Sequence, residues 1–251
     1  MARTTIRLSG VCRSCQLPVT LSALLLLGPV EDAHGEENPV SAILFGSLDA
    51  TPSGFAAAGA KLGFDRVDRE GFVVLASVGA GRRAEIEATL GGTSAPTLMR
   101  WTMLGAALVG HQWFSDWGVF ALYAGPEASI EVLSGPGGTV ALPGRFGLRL
   151  HGEVWAYPAQ GTLLTATLIL GSARGHVWSR LSYGVRFCGA YLGPEAALYA
   201  DETGYRKLSV GLHATDFAVG RLSLRVSAGY LVETAPSGGS PYVTLTLWAP
   251  L

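Results

Sequence analysis

The sequence predicts an all-β protein: a closed antiparallel β-barrel of the transmembrane type, with about twelve strands. Three observations carry this. Apolar residues recur at every second position through many stretches of about 9–13 residues. Turn compositions punctuate those stretches, among them GGTSAP (91–96), SGPGG (134–138), DETG (201–204) and APSGGSP (235–241). Beyond the N-terminal region, no run reaches the roughly 18 consecutive apolar residues a membrane helix needs.

The N-terminal region reads differently. Arg3, Arg7 and Arg13 precede the apolar run LPVTLSALLLLGPV (17–30), and Ala33-His34-Gly35 follows. A positive segment, an apolar segment and small residues form the pattern of a secretory signal peptide, expected over residues 1–35; an N-terminal membrane anchor is the alternative, disfavoured by the short run between Pro18 and Pro29. A single β-barrel domain is expected over 36–251. Removal of the signal takes Cys12 and Cys15 with it and leaves Cys188 alone. One cysteine makes neither an internal disulfide nor a cysteine-based metal site.

Strand period is clearest late in the chain. In 221–231, Leu222, Leu224, Val226, Ala228 and Tyr230 share one face, opposite Arg221, Ser223, Arg225, Ser227 and Gly229. In 145–157, Phe146, Leu148, Leu150 and Val154 oppose Arg145, Arg149, His151 and Glu153. In 176–187, Val177, Leu181, Tyr183, Val185 and Phe187 oppose His176, Arg180, Ser182 and Arg186. In 205–217, Leu208, Val210, Leu212 and Ala214 oppose Lys207, Ser209, Gly211, His213 and Thr215. The last stretch aligns Val243, Leu245, Leu247, Ala249 and Leu251. The best candidate for a short helix or polar loop is RRAEIEATL (82–90).

Soluble-sandwich strands average five or six residues; these are about twice as long, near the 9–11 that cross a bilayer at a tilt. One face is a Leu/Val/Ala/Phe band and the other is rich in Gly, Ser and Thr with scattered ions. That places the apolar face toward lipid and the polar face toward a lumen, in a sheet that must close because lipid cannot satisfy an edge. Outer aromatics such as Phe187 and Tyr230 fit interfacial girdles.

The motif Gly-Pro-Glu-Ala occurs twice, in YAGPEASI (123–130) and YLGPEAALYAD (191–201). The alternation turns Glu127 and Glu195 inward and Pro126 and Pro194 outward. For Glu195 the candidate partners are Arg180, Arg186, Lys207 and Arg225. Proline lacks the N–H of a closed ladder, so a bulge or a rim position is expected at each copy. The 68-residue spacing suggests equivalent places in two half-barrels.

Long stretches of the chain carry a resemblance. GSARGHVWSRLSYG (171–184), residues 190–230, SPYVTLTLW (240–248) and FGSLDATPSGFAAAGAKLGFDRVDREGFVVLASVGAGR (45–82) resemble the cellulose biosynthesis protein BcsS family of alphaproteobacteria. The resemblance implies a small, secreted, β-rich protein in a cell-envelope, cellulose-related setting. It brings no catalytic residues.

Chemistry motifs are sparse. There is no GxxxxGK[ST] loop, GxSxG or HExxH, and no cofactor is expected. SVGAGR (77–82) reads as a glycine-rich strand end. Net charge is −1 and no basic stripe exists, which excludes nucleic acid as a partner. His111, His151, His176 and His213 lack metal-ligand spacing, and no metal site is expected. The expected lumenal cations are Arg145, Arg149, Arg180, Arg186, Lys207 and Arg225; the anions are Glu127, Glu153, Glu195 and Asp201. Full pairing would plug the lumen; arginines along one wall would make an anion-favouring path. A neutral glucan would be held by aromatic faces and hydrogen-bonding side chains, and Trp155, Trp178, Tyr191, Tyr199, Tyr205 and Trp248 fall on the inner face. The candidate ligand-binding set is therefore Trp155, Trp178, Arg180, Glu195, Tyr199, Tyr205, His213 and Arg225.

The expected function is a non-enzymatic outer-membrane accessory of cellulose production or export. Its expected partners are outer-membrane lipid, the cellulose glucan chain and other cellulose-synthesis proteins. Two other classes stay open: a barrel enzyme acting on envelope lipid or glycan, with His213, Ser209 and Glu195 as its candidate trio, and a soluble periplasmic β-rich binding protein. The second is kept open by the chain's end in Leu251, with Trp248 three residues earlier, where outer-membrane barrels often end in an aromatic residue.

Overall fold

The computed structural model describes residues 40–86, 97–234 and 238–251. The expected signal peptide, residues 36–39 and the turn at 91–96 lie outside the described residues. The strands are β1 (Ala42–Ala50), β2 (Phe55–Gly63), β3 (Gly71–Ile86), β4 (Thr97–Ser115), β5 (Gly118–Gly135), β6 (Gly138–Ala141), β7 (Arg145–Ala156), β8 (Thr162–Gly171), β9 (His176–Phe187), β10 (Ala190–Ala200), β11 (Arg206–Val219), β12 (Leu222–Glu233) and β13 (Gly238–Pro250).

Each strand runs antiparallel to its neighbours. β1 pairs with β13 from Ile43↔Pro250 to Ala50↔Val243, and β4 pairs with β5, which closes the sheet. Twelve strands form the barrel wall. The thirteenth, β6, pairs only with the end of β5, through Val132–Gly135. We call the end where β1 starts and β13 finishes the base, and the opposite end the top. Three base turns are two residues long, at 116–117, 188–189 and 220–221. Strands β3, β4 and β5 have 16, 19 and 18 residues, so they rise past the other strands at the top.

The alternation orients the wall as the sequence predicts. Phe146, Leu148, Leu181, Phe187, Leu212, Val210 and Tyr230 are exposed on the outside, Phe146 at 85% and Leu212 at 68%. Inside, Gln112, Thr215, Ser182 and Ser227 are almost wholly shielded. An apolar outside and a polar inside invert the plan of a water-soluble barrel. At the base an aromatic chain faces outward. Phe72 meets His111 edge-on at 5.0 Å, His111 lies 4.6 Å from Trp113, and Trp113 stacks on Phe120 at 5.3 Å.

Four expectations need correction. Arg82–Ile86 continue β3, paired with Trp101 to Thr97, instead of starting a helix or loop. Gly238–Pro241 belong to β13, so the turn before it is shorter than the composition suggests. The third concerns Gly-Pro. Neither copy is a bulge and neither is at a rim. On β5 the ladder to β4 runs Ala106↔Glu127, skips two positions, and resumes at Val109↔Ala124 in the same register. On β10 the ladder to β9 runs Leu192↔Val185, skips two, and resumes at Glu195↔Ser182. In both copies proline turns its missing N–H toward the preceding strand, and the ladder loses two rungs there while the following strand stays paired. The preceding strand presses close instead. A Cβ on Gly125 would meet Ala107 O at 2.3 Å, and one on Gly193 would meet Tyr183 O at 1.9 Å. Glycine is required by that approach. The fourth is the half-barrel idea. β5 and β10 are separated by β7, β8 and β9 on one side and by seven wall strands on the other, so the two copies do not sit across a two-fold.

Candidate functional site

The lumen holds three layers of side chains. The top layer is a closed ring of six alternating charges. Arg83 (β3) reaches Asp201 at 2.6 Å, and Asp201 contacts Arg174 at 3.1 Å. Arg174 reaches Glu131 (β5) at 2.8 Å, Glu131 binds Arg100 (β4) at 2.9 Å, Arg100 binds Glu85 (β3) at 2.6 Å, and Glu85 returns to Arg83 at 2.9 Å. Three guanidinium groups and three carboxylates balance. Arg174 comes from the β8–β9 turn and Asp201 from the β10–β11 turn, so the ring links opposite parts of the wall. Burial alone would raise the Asp201 carboxyl; the Thr203 bonds and the two guanidinium groups outweigh it and hold the carboxyl below the usual aspartate value. Tyr205 packs its ring under Arg83, 4.3 Å from the guanidinium carbon, and donates to Ser53 Oγ at 3.0 Å. Burial pushes the Tyr205 hydroxyl well above its ordinary value. Ser53 in turn donates to Glu233.

The middle layer is built around Glu195. It pairs with Arg225 of β12 and accepts from Ser227 Oγ at 3.1 Å, with Arg180 at 4.0 Å. Arg225 also donates to Thr165 of β8 at 3.1 Å, and Thr165 shares a 2.7 Å bond with Ser182. The equivalent glutamate, Glu127, pairs with Arg149 at 2.9 Å and accepts from the Ala173 amide at 2.9 Å.

The base layer is apolar, where alternation led us to expect a polar face throughout. Val67, Val73, Leu75, Leu108, Ala121 and Tyr123 form a buried cluster with Val40, Ile43, Phe45 and Ala106 against it. Val67 comes from the β2–β3 loop, which folds inward. Gln112 pins that loop by donating to Val67 O at 2.9 Å and Arg69 O at 2.6 Å. Above the cluster, Lys61 lies 3.9 Å from Glu153, and Glu153 is 3.2 Å from His151 Nε2. Trp155 of β7 meets Trp248 of β13 edge-on at 5.6 Å. Between those strands lie β8 to β12 on one side and β1 to β5 on the other, so the contact spans the full width of the wall.

These layers decide the reading of the candidate ligand-binding residues. All eight are on the inner face or the top turn. Arg180, Glu195 and Arg225 are spent on one another; Trp178 packs against Arg180 at 5.1 Å. Tyr199 donates to Asp201 at 3.2 Å and accepts from Arg174 at 2.9 Å. Tyr199 and Tyr205 stand at the top, 5.9 Å apart, whereas Trp155 lies at the base. The aromatics are therefore not aligned as one track. The trio of His213, Ser209 and Glu195 is not brought together: His213 Nδ1 bonds Thr215 Oγ1 at 2.7 Å, Ser209 donates to Ala197 O at 3.4 Å, and Glu195 belongs to Arg225.

Two expected lumenal cations lie at the rims, and a third stays inside with another partner. Arg145 is at the top rim with Glu202, Arg186 is exposed at the base, and Lys207 reaches Asp49 at 2.6 Å and leaves Glu195 alone. Sequence reasoning missed Lys61, Arg83, Glu85, Arg100, Glu131 and Arg174. The signal is present in alternate positions 83/85 and 100/102, but the charged run 82–90 fits a helix or polar loop as well as a strand.

A closed barrel with an apolar exterior and a filled, ion-paired interior has the surface chemistry of the transmembrane β-barrel class. The family model for cellulose biosynthesis protein BcsS matches residues 43–251. The chain belongs to that family, and so to bacterial cellulose biosynthesis. A search of curated proteins gives no match.

Proposed function

We propose that the protein is a non-enzymatic accessory of cellulose biosynthesis, seated in the bacterial outer membrane and made with a cleaved signal peptide. It acts as a rigid, closed barrel that anchors or organises the cellulose-secretion apparatus and its exopolysaccharide product, and the glucan does not pass through its lumen. The observation that carries this is the combination of an outward Leu/Val/Phe face with a lumen crossed by side chains at three levels. An apolar exterior favours lipid as the surrounding solvent. A lumen crossed by Trp155–Trp248 and the six-charge ring favours a scaffold over a conduit. Short base turns and long top strands resemble the periplasmic and extracellular ends of outer-membrane barrels, which supports a periplasmic base.

The test is a deletion strain assayed for extracellular cellulose and for glucan synthesis by its membranes. The expected result is reduced extracellular cellulose, restored by the wild-type gene, with membrane synthesis unchanged. Unchanged cellulose output would overturn the proposal. So would release of fatty acid or glucose from envelope lipid or cello-oligosaccharide by the purified barrel, if His213→Ala abolished it.

A further inference from the structure

The inward carboxylates of this barrel are held by partners. Asp49 has Lys207, Glu127 has Arg149, Glu153 has His151 and Lys61, Glu195 has Arg225, Glu233 has Ser53, and the remaining three form the top ring. Asp216 is different. It is half-buried near the base end of β11, and among the described residues it makes no hydrogen bond and no ion pair within 4 Å. Its backbone is also unusual. Asp216 has φ of 63°, a left-handed conformation, and the ladder to β12 slips there, from Thr215↔Arg225 to Phe217↔Leu224. A bulge re-aims one side chain out of the alternation, and the strain of such a residue is tolerated where the fold requires that aim.

Its surroundings are ligand-binding in kind. Asp216 lies within electrostatic reach of Arg186 and Tyr157. The Arg186 guanidinium carbon is 5.9 Å from the Tyr191 ring centre, and Tyr157 is 6.4 Å from Tyr191 at 54°. Tyr157 and Arg186 are exposed. Two residues earlier in the chain, Trp155 of β7 meets Trp248 across the lumen. The base mouth thus groups two tyrosine rings, an unpartnered carboxylate and a guanidinium group.

We propose that this mouth is a shallow binding site for a β-linked glucose oligomer. Asp216 accepts from neighbouring sugar hydroxyls, Arg186 donates to sugar oxygens, and Tyr157 covers the C–H face of a pyranose ring. A β-linked chain is flat, with its C–H faces alternately presented, and suits an exposed tyrosine face; a coiled α-linked chain does not. The assignment to glucan rests on the reading of the protein as a cellulose accessory. The site itself rests on the strained, unpartnered Asp216 and its neighbours. Binding here holds a chain end at the barrel mouth without threading the lumen.

The test is titration of cellohexaose into the full-length barrel in detergent micelles, with maltohexaose as comparison. Cellohexaose is expected to bind, and at least tenfold more tightly than maltohexaose. Asp216→Asn, which keeps the left-handed backbone accessible, and Tyr157→Ala, at an exposed position, are each expected to weaken binding at least fivefold while heat-modifiable migration is retained. No cellohexaose binding by the wild type, equal binding of the two sugars, or wild-type affinity in Asp216→Asn overturns the proposal. A deletion strain that loses cellulose while the purified barrel ignores cellohexaose would remove the site and leave the accessory role standing.

Discussion

His213 Nε2 lies 3.3 Å from the backbone carbonyl oxygen of Tyr183, the acceptor opposite Pro194 that proline has no N–H to serve. The ring's other nitrogen, Nδ1, is 2.7 Å from Thr215 Oγ1. A proton on Nε2 satisfies both contacts: the imidazole donates to the carbonyl and accepts from the threonine hydroxyl. The side chain that composition offered as a catalytic base is thereby committed to repairing the ladder. His213→Ala is expected to destabilise the barrel by about 1–3 kcal/mol, the effect of leaving a buried acceptor unserved. Pro194→Ala in the same background restores an N–H and should recover part of that loss. Urea unfolding of the two variants checks it; equal stability of His213→Ala and wild type would contradict it.

The top ring predicts a large penalty for removing one member. Asp201 is fully shielded and faces both Arg83 and Arg174. Asp201→Asn leaves two guanidinium groups short of a counter-charge, and a loss of about 3 kcal/mol is expected. Measurement of the unfolding midpoint at neutral pH checks this against wild type.

The same residue gives a pH dependence. Its folded carboxyl value lies below the unfolded value near 4. The stability it contributes is therefore complete above that value and is lost as pH falls through the lower folded value. Wild-type stability should drop with acidification below about pH 4, and the Asp201→Asn variant should show a shallower drop over the same window. Parallel curves would show that the ring does not set the acid limit.

A lumen crossed by side chains predicts little conductance. Reconstituted into a planar bilayer, the wild-type barrel is expected to show no steady open level. Replacing Trp155, Trp248, Arg225, Arg83 and Arg100 together by alanine should raise conductance above the wild-type level, because it clears contacts in the base, middle and top layers. A large steady conductance in the wild type would contradict the filled lumen.

Much of the wall was legible because strand period depends on two neighbours only. Leu222, Leu224 and Val226 against Arg225 and Ser227 already separate lipid from lumen, and β12 presents them that way. Contacts across the lumen were not legible. Arg225 finds Thr165 sixty positions away because the curvature of the closed wall brings β12 within reach of β8 through the lumen, and period carries no information on that distance. The base plug was hidden for a related reason: Val67 lies in a loop, and its burial depends on Gln112 of β4 reaching the loop carbonyls. Proline misled by a local rule. At Pro126 and Pro194 the sheet drops two rungs and keeps its register, because the strands on both sides hold it in phase.

The outer-membrane role stands or falls on whether the Leu/Val/Phe face meets lipid. The most direct measurement is fractionation of the tagged protein from its own cells, followed by gel migration of the membrane fraction with and without heating, for wild type and Leu212→Arg. Leu212 sits mid-strand opposite Pro194 and Ala228 and faces outward. Recovery in the outer membrane with a faster-migrating folded band is expected, with a weakened band for Leu212→Arg, since an arginine on the lipid face near mid-bilayer costs about 2–4 kcal/mol. Recovery in the soluble periplasm, with Leu212→Arg folding as well as wild type, would contradict it.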